Sequence, residues 1–418
     1  MAGTLHRILR PLILAGALAF VPVAALAQKV LVSQGDLRLY DLESGRFEWS
    51  QPGPQAPWTG AVITADGRYA VSTSFAAATP AVRIVDLAVG SSVDVPLSFD
   101  PRIAHPRATA VFGLTGGPLS FGSMTRGTLA RLDPGGLTTY GGCAAGTVTR
   151  VDLSGDGRAL FALCESGDLA VLDADSGAVL RTLPLGQGVT FAASFDGTAL
   201  VAARPAGIEL LDATTGAVLG STVVPGPVGC LPAMGQRSRD RTTLVVTCQF
   251  IAAPSVSWSS HVLQAPALTW GAALGLERSV VSLSPDNRMA FSTYVHRTGV
   301  YGNVQIHDLA SGSVTISVPM IAGIQVSYAP LAPTASATVS LGQVDVTWTL
   351  PPASPAVTGY LVEVGSAPGL SDVGTAATGI RATLTVPSAP AGRYYVRVRA
   401  ENVSGRSAPS DEIVVDVP

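Results

Sequence analysis

The segment "LAVLDADSGAVL" at 169–180 is followed thirty-nine residues later by "IELLDATTGAVL" at 208–219. In both, an apolar run leads into an Asp, and a Gly stands four residues beyond it. Asp accepts hydrogen bonds from the backbone amides of a turn, and Gly takes a positive φ at no steric cost. Each segment therefore reads as strand, tight turn, strand. The same signal recurs in "LYDLESGR" (39–46), "IVDLAVGS" (84–91), "RLDPGGL" (131–137) and "IHDLASGS" (306–313). The Asp positions are 41, 86, 133, 173, 212 and 308, spaced by 45, 47, 40, 39 and 96. The last interval holds two units of 48, and "SSHVLQAPALTWGAAL" (259–274), which lacks the Asp–Gly signal, fits the missing one. That makes seven units.

A second Asp turn lies upstream of most of these signals: "TADGRYAVS" (64–72), "SGDGRALFALC" (154–164), "SFDGTALVAA" (194–203) and "SPDNRMAFS" (284–292). Short apolar strands such as "GVTFAA" (188–193) precede them. One unit is then strand, turn, strand, loop, strand, turn, strand. Four short antiparallel strands per ~40 residues is the signature of a propeller blade. The paired turns resemble those of the YVTN and WD-repeat propeller families, and the "LDAxTG" form is similar to quinoprotein-like repeats. The resemblance covers about residues 29–330 and implies an all-β, seven-bladed propeller. The first unit starts at Lys29 without an inner strand, whereas "GIQVSYAP" (323–330) aligns with inner strands such as "SVVSLSPD" (279–286). This spacing predicts that 323–330 completes the first blade and removes an open edge. The third unit, about 100–140, is the least regular, and its inner strand is unmarked.

Only 13% of the 418 residues are charged, against about 25% in ordinary soluble domains. The 45 Gly and 30 Pro fit a turn-rich β protein. The N-terminus stands apart. A basic stretch with Arg7 and Arg10, the apolar "PLILAGALAFVPVAALA" and the small-residue site at 25–27 read as a secretory signal over 1–27. No Cys follows the site, and no later run reaches the ~18 apolar residues of a membrane span. The mature chain, 28 onward, is expected to be exported to the periplasm, cell surface or medium. Its net charge of −5 (24 Arg and Lys against 29 acids) and lack of a basic run disfavour nucleic acid. Lys29 is the only lysine, which excludes lysine-nucleophile chemistry elsewhere.

A Pro/Thr/Ala-rich stretch, "LAPTASATVS" (331–340), reads as a linker into a different pattern. Short alternating strands with an early Trp over 331–418 suggest a β-sandwich. The run "YYVRVRAENVSGRS" (394–407) is similar to fibronectin type III domains of secreted bacterial proteins. That resemblance puts Trp348 and Tyr360 in the core and Tyr394 at the tyrosine corner. "NVS" at 402–404 matches a glycosylation sequon.

Four cysteines in an exported chain favour disulfides. Cys164 lies eight residues after Asp156, and Cys248 eight after Asp240, each at the end of a blade's second strand. Cys143 and Cys230 precede the first strands of the same blades. Antiparallel neighbours then pair Cys143 with Cys164 and Cys230 with Cys248. No C-x-x-C, H-x-H or H-E-x-x-H is present, so no metal site is expected. No G-x-S-x-G elbow or Walker loop occurs either. Seven short blades with few tryptophans do not match the usual eight-bladed quinone-cofactor form, and no cofactor is expected.

The candidate ligand residues are positional. His105 is placed in or near a blade-to-blade connection, His296 and Arg297 in a long second-to-third-strand loop, and Trp58 and Tyr140 at blade entries. Together they would form an aromatic and cationic rim. The reading that follows is an exported non-catalytic binding or scaffold protein for protein or carbohydrate at the cell envelope. The alternative is an exported hydrolase or lyase, lactonase-like, with His105 or His296 as general base. A general base needs a positioned partner, and the sequence shows none.

Overall fold

The repeated turns are built on one hydrogen-bonding plan. Ser154 donates its hydroxyl to Asp156 Oδ1 at 2.6 Å, the Arg158 amide donates to the same oxygen at 3.0 Å, and the Ala159 amide donates to Ser154 Oγ at 2.9 Å. Thr64/Asp66, Ser194/Asp196, Ser238/Asp240 and Ser284/Asp286 repeat it. The residue after each Asp takes a positive φ: Gly67, Gly157, Gly197, Arg241 and Asn287. Each turn joins the first strand of a sheet to the second. The other turn class, at Asp41, Asp86, Asp173, Asp212 and Asp308, joins third to fourth strands, with the Asp oxygen accepting amides two or three residues on.

The computed structural model describes residues 28–33, 36–42, 44–52, 61–74, 81–117, 119–120, 123–143, 147–225, 231–252, 255–276, 279–295, 302–319 and 323–418. The segment 1–27, read from sequence as a secretory signal, lies outside them. The described chain is all strand and turn, and none of its segments is a helix long and apolar enough to cross a membrane.

Among the described residues, seven four-stranded antiparallel sheets precede residue 330. Their first strands, in chain order, are Gly323–Tyr328, Ala61–Ile63, Phe99–Ala104, Val148–Leu153, Thr190–Ala193, Leu231–Arg237 and Ser279–Leu283. Each of these inner strands packs on the next, and Ser279–Leu283 packs on Gly323–Tyr328, which completes a circuit. Gly323–Tyr328 pairs antiparallel with Gln28–Ser33, in the register Gln28↔Tyr328 and Val30↔Val326. The third sheet, irregular in sequence, has Phe99–Ala104 as its inner strand and an extra hairpin, Leu119–Ser120 with Ser123–Met124. The sixth lacks the Asp–Gly turn because Ser255–Gln264 reaches Thr269–Leu276 through a turn containing a cis Ala265–Pro266 bond.

The core lies between sheets rather than inside one layer. Every neighbouring pair shares its own apolar cluster: Phe112 and Leu129 meet Leu160 and Leu172, for example, and Phe291 and Ile306 meet Val30 and Tyr328. The other five clusters join the remaining pairs in turn. Central strands are therefore apolar on both faces, as Leu169–Leu172 are. Cys143 and Cys164 are bonded, with Cα atoms 5.5 Å apart. The sequence separation of 21 that the bond closes contributes about 3 kcal/mol on the chain-entropy model. Cys248 is also disulfide-bonded; Cys230 lies outside the described residues.

Beyond residue 330 a three-stranded and a five-stranded sheet face each other over Val346, Trp348, Tyr360, Val362 and Val398. Trp348 is 3% and Tyr360 7% exposed, and the Tyr394 hydroxyl donates to Pro390 O at 3.0 Å. The linker is shorter than the composition of 331–340 suggests, because strand Thr334–Ser340 occupies most of it. The sandwich sits directly on the circuit. Ala356 N donates to Ala65 O at 3.0 Å, Asn402 Nδ2 donates to Tyr328 O at 2.9 Å, and Ser404 and Ser327 share a hydroxyl hydrogen bond. Asn402 of the sequon is thus buried in this contact.

Candidate functional site

The inner strands end at the first-to-second-strand turns. There, those turns and the loops of the sandwich enclose a cleft of about 640 Å³. Ile63 and Ala65 come from the second sheet, Arg102, His105 and Arg107 from the third, and Arg237, Arg239 and Arg241 from the sixth. The opposite wall is apolar, with Leu350, Pro352, Pro355 and Val357 of the sandwich. A recess of about 150 Å³ continues from it to Ser282, Ser327 and Tyr328.

The organising charge is Asp152, at the end of the fourth inner strand, with its carboxylate 2% exposed. A buried carboxylate needs charge-assisted partners. Asp152 receives the Arg237 guanidinium on Oδ1, Arg241 Nη1 at 3.3 Å, and the Ala193 amide on Oδ2 at 2.8 Å. Arg241 Nη2 also donates to Leu153 O at 2.7 Å. One carboxylate so ties the fourth, fifth and sixth sheets together at the cleft floor. Burial pushes the Arg241 pKa down to about 10, against the pull of Asp152.

Arg241 occupies the position that is Gly or Asn in the other four turns of its class, with φ +62°. A non-glycine residue there carries backbone strain, of the kind that concentrates at functional sites. Arg239, in the same turn, has no carboxylate partner among the described residues; it reaches Pro106 O at 3.4 Å. Burial pushes its pKa down to about 10 as well. Arg150, on the fourth inner strand, has its pKa lowered by burial first and then by the charge of Arg102. Arg102 itself pairs with Asp100 at 2.8 Å.

Of the five sequence candidates, His105 lines this cleft. It sits in a first-to-second-strand turn, not in a blade-to-blade connection, and so faces the opposite end of the circuit from the one expected. The Arg107 amide donates to Nδ1 at 3.1 Å, which makes Nε2 the protonated nitrogen, and Nε2 lies 3.1 Å from Gly157 O. Both ring nitrogens are engaged, and burial lowers the imidazole pKa further, opposed by Asp175. Tyr140 is not on a rim. It is buried behind the outer strand of the third sheet, and its hydroxyl donates to Ala174 O at 3.1 Å in the next sheet. Trp58, His296 and Arg297 lie outside the described residues.

Asp152, Arg237, Arg239 and Arg241 were not singled out from sequence. The signal was present: "RSRDR" at 237–241 puts three arginines around a turn Asp, one of them at the positive-φ position. Among the described residues, no group of three or more His, Cys, Asp or Glu is placed to hold a metal ion.

No family model matches this chain, and no curated protein matches it in sequence. Solved structures do. A dihydro-heme d1 dehydrogenase NirN in complex with DHE is 17% identical, with a TM-score of 0.48 over 72% of this chain and 75% of its own. The Cps50 (Swd1) β-propeller domain of Myceliophteria thermophila is 13% identical, with a TM-score of 0.48 over 68% and 96%. TolB from Acinetobacter baumannii is 16% identical, with a TM-score of 0.42 over 72% and 65%.

Proposed function

We propose that this chain is an exported, non-catalytic binding or scaffold protein. It is built as a seven-bladed β-propeller covered on one face by a fibronectin type III domain. Its protein or carbohydrate ligand is taken in the cleft where the two meet. The circuit of inner strands and the seven inter-sheet clusters support the propeller reading. The Trp348 core and the Tyr394–Pro390 bond support the sandwich reading. A disulfide fits an oxidising compartment.

The observation that carries binding over catalysis is the state of the cleft's polar groups. A general base must be free to take a proton. His105 has both nitrogens committed, and Asp152 and Asp100 are each held by an arginine and a backbone amide. What remains are guanidiniums and an apolar wall, which recognise rather than react.

The test is a retention assay with the immobilised mature chain and host envelope extract, comparing Arg107→Glu in the cleft with Arg393→Glu on the far sandwich surface. A protein or glycan retained by wild type and Arg393→Glu but lost by Arg107→Glu supports the reading. Retention indifferent to Arg107→Glu overturns it. So does hydrolase or lyase turnover that His105→Gln abolishes.

A further inference from the structure

The cleft has more positive charge than its own carboxylates answer. Arg102, Arg107, Arg237, Arg239 and Arg241 line it. The acids within reach are already used. Asp152 holds Arg237 and Arg241. Asp100 holds Arg102 and the Met124 amide at 2.7 Å. Asp240 accepts the Ser238 and Thr242 hydroxyls and Asn287 Nδ2. Arg239 has no ion-pair partner among the described residues.

Holding a partly buried guanidinium such as Arg239 without a carboxylate is costly unless something anionic meets it. Planar, always-charged guanidiniums suit carboxylate and phosphate oxygens, which they grip in pairs. Arg241 adds a further mark: the chain accepts a left-handed residue at φ +62° to keep a guanidinium where other turns keep Gly or Asn.

We infer that the cleft binds an anionic ligand through carboxylate or phosphate groups, with Arg239 as their direct partner. Arg237 and Arg241, fixed by Asp152, orient the floor. The sandwich residues Leu350, Pro352 and Val357 cover an apolar part of the ligand. This rests on the cleft being the binding site, and it names the chemistry of what binds there.

The test uses the full mature chain with citrate and pyrophosphate as probes, and calorimetric titration as the readout. Citrate represents the carboxylate source and pyrophosphate the phosphate source. Wild type and Arg393→Gln are expected to bind one of them with the same affinity. Arg239→Gln is expected to lose about tenfold or more, the worth of one charge-assisted contact. Its melting temperature without probe should match wild type, because Arg239 has no internal ion pair to lose. If neither probe binds, or if Arg393→Gln weakens binding as much as Arg239→Gln, the anion site is wrong. A partner retained through Arg107 with neither probe binding would leave the binding reading standing and remove this inference alone.

Discussion

Arg241 shows how one residue can be both a structural cost and a functional asset. Its class of turn wants a residue free to take φ near +60°, and in this turn that residue is an arginine. The guanidinium bonds Asp152 and Leu153 O across 89 and 88 residues of sequence. The two contributions can be separated by substitution. Arg241→Ala removes the guanidinium and keeps the strain, whereas Arg241→Gly removes both. Both variants should be less stable than wild type, since they leave Asp152 with one fewer partner. Arg241→Gly should nonetheless exceed Arg241→Ala by about 1 kcal/mol in denaturant unfolding. Equal stabilities would mean that the left-handed backbone costs nothing here. The turn Asp residues were legible in the sequence because their partners lie two to five residues away. The Asp152 cluster was not, because its members are joined only through the circuit. His105 was assigned to the wrong end for a related reason: "AHPRAT" carries no Asp–Gly mark, so the end of its inner strand was invisible.

At the scale of elements, periodicity carried the sheets well wherever a turn announced them. It also carried the strand at 323–330, whose pattern matched inner strands although it follows the last repeat. Among the described residues, that strand ties the two ends of the repeat together. It pairs with Gln28–Ser33 on one side, and its Val326 and Tyr328 enter the cluster shared with Phe291 and Ile306. Val326 is 5% exposed. A carboxylate there would be buried among the apolar side chains of that cluster. Val326→Asp is therefore expected to lower the stability of the whole circuit by about 3 kcal/mol or more. Val339→Asp, on an exposed sandwich strand position, should change it by less than about 0.5 kcal/mol. A Val326→Asp protein with wild-type urea midpoint would show that the strand only decorates the first sheet. The linker was misread because Thr, Ala and Ser in 334–340 look like a spacer by composition while alternating as an edge strand. Composition cannot separate the two without knowing what the strand pairs with.

At the scale of the whole molecule, the sandwich is a cover for the cleft rather than a tethered arm. Its contact includes polar pairs: the Asn402 amide on Tyr328 O, the Ser404–Ser327 hydroxyl pair, and Ala356 N on Ala65 O. Buried polar pairs of this kind are worth little net when made and about 1–3 kcal/mol each when one side is orphaned. The contact should therefore be all-or-none. Gly67 lies at its centre, with φ +70°, and an added Cβ would stand 2.9 Å from Ser327 Oγ and 3.2 Å from Ser404 Oγ. Making room means parting those two hydroxyls. Gly216 has nearly the same backbone, φ +75°, but its nearest neighbour is 3.9 Å away. The comparison isolates docking from strain. Gly216→Ala should lose about 1 kcal/mol and unfold, like wild type, in one calorimetric transition. Gly67→Ala should bear that same strain and also release the sandwich, so that two transitions appear. Because the sandwich supplies the apolar wall of the cleft, the same substitution should weaken any ligand held there. One shared transition in Gly67→Ala, displaced no further than in Gly216→Ala, would show that the two parts are coupled by something other than this contact.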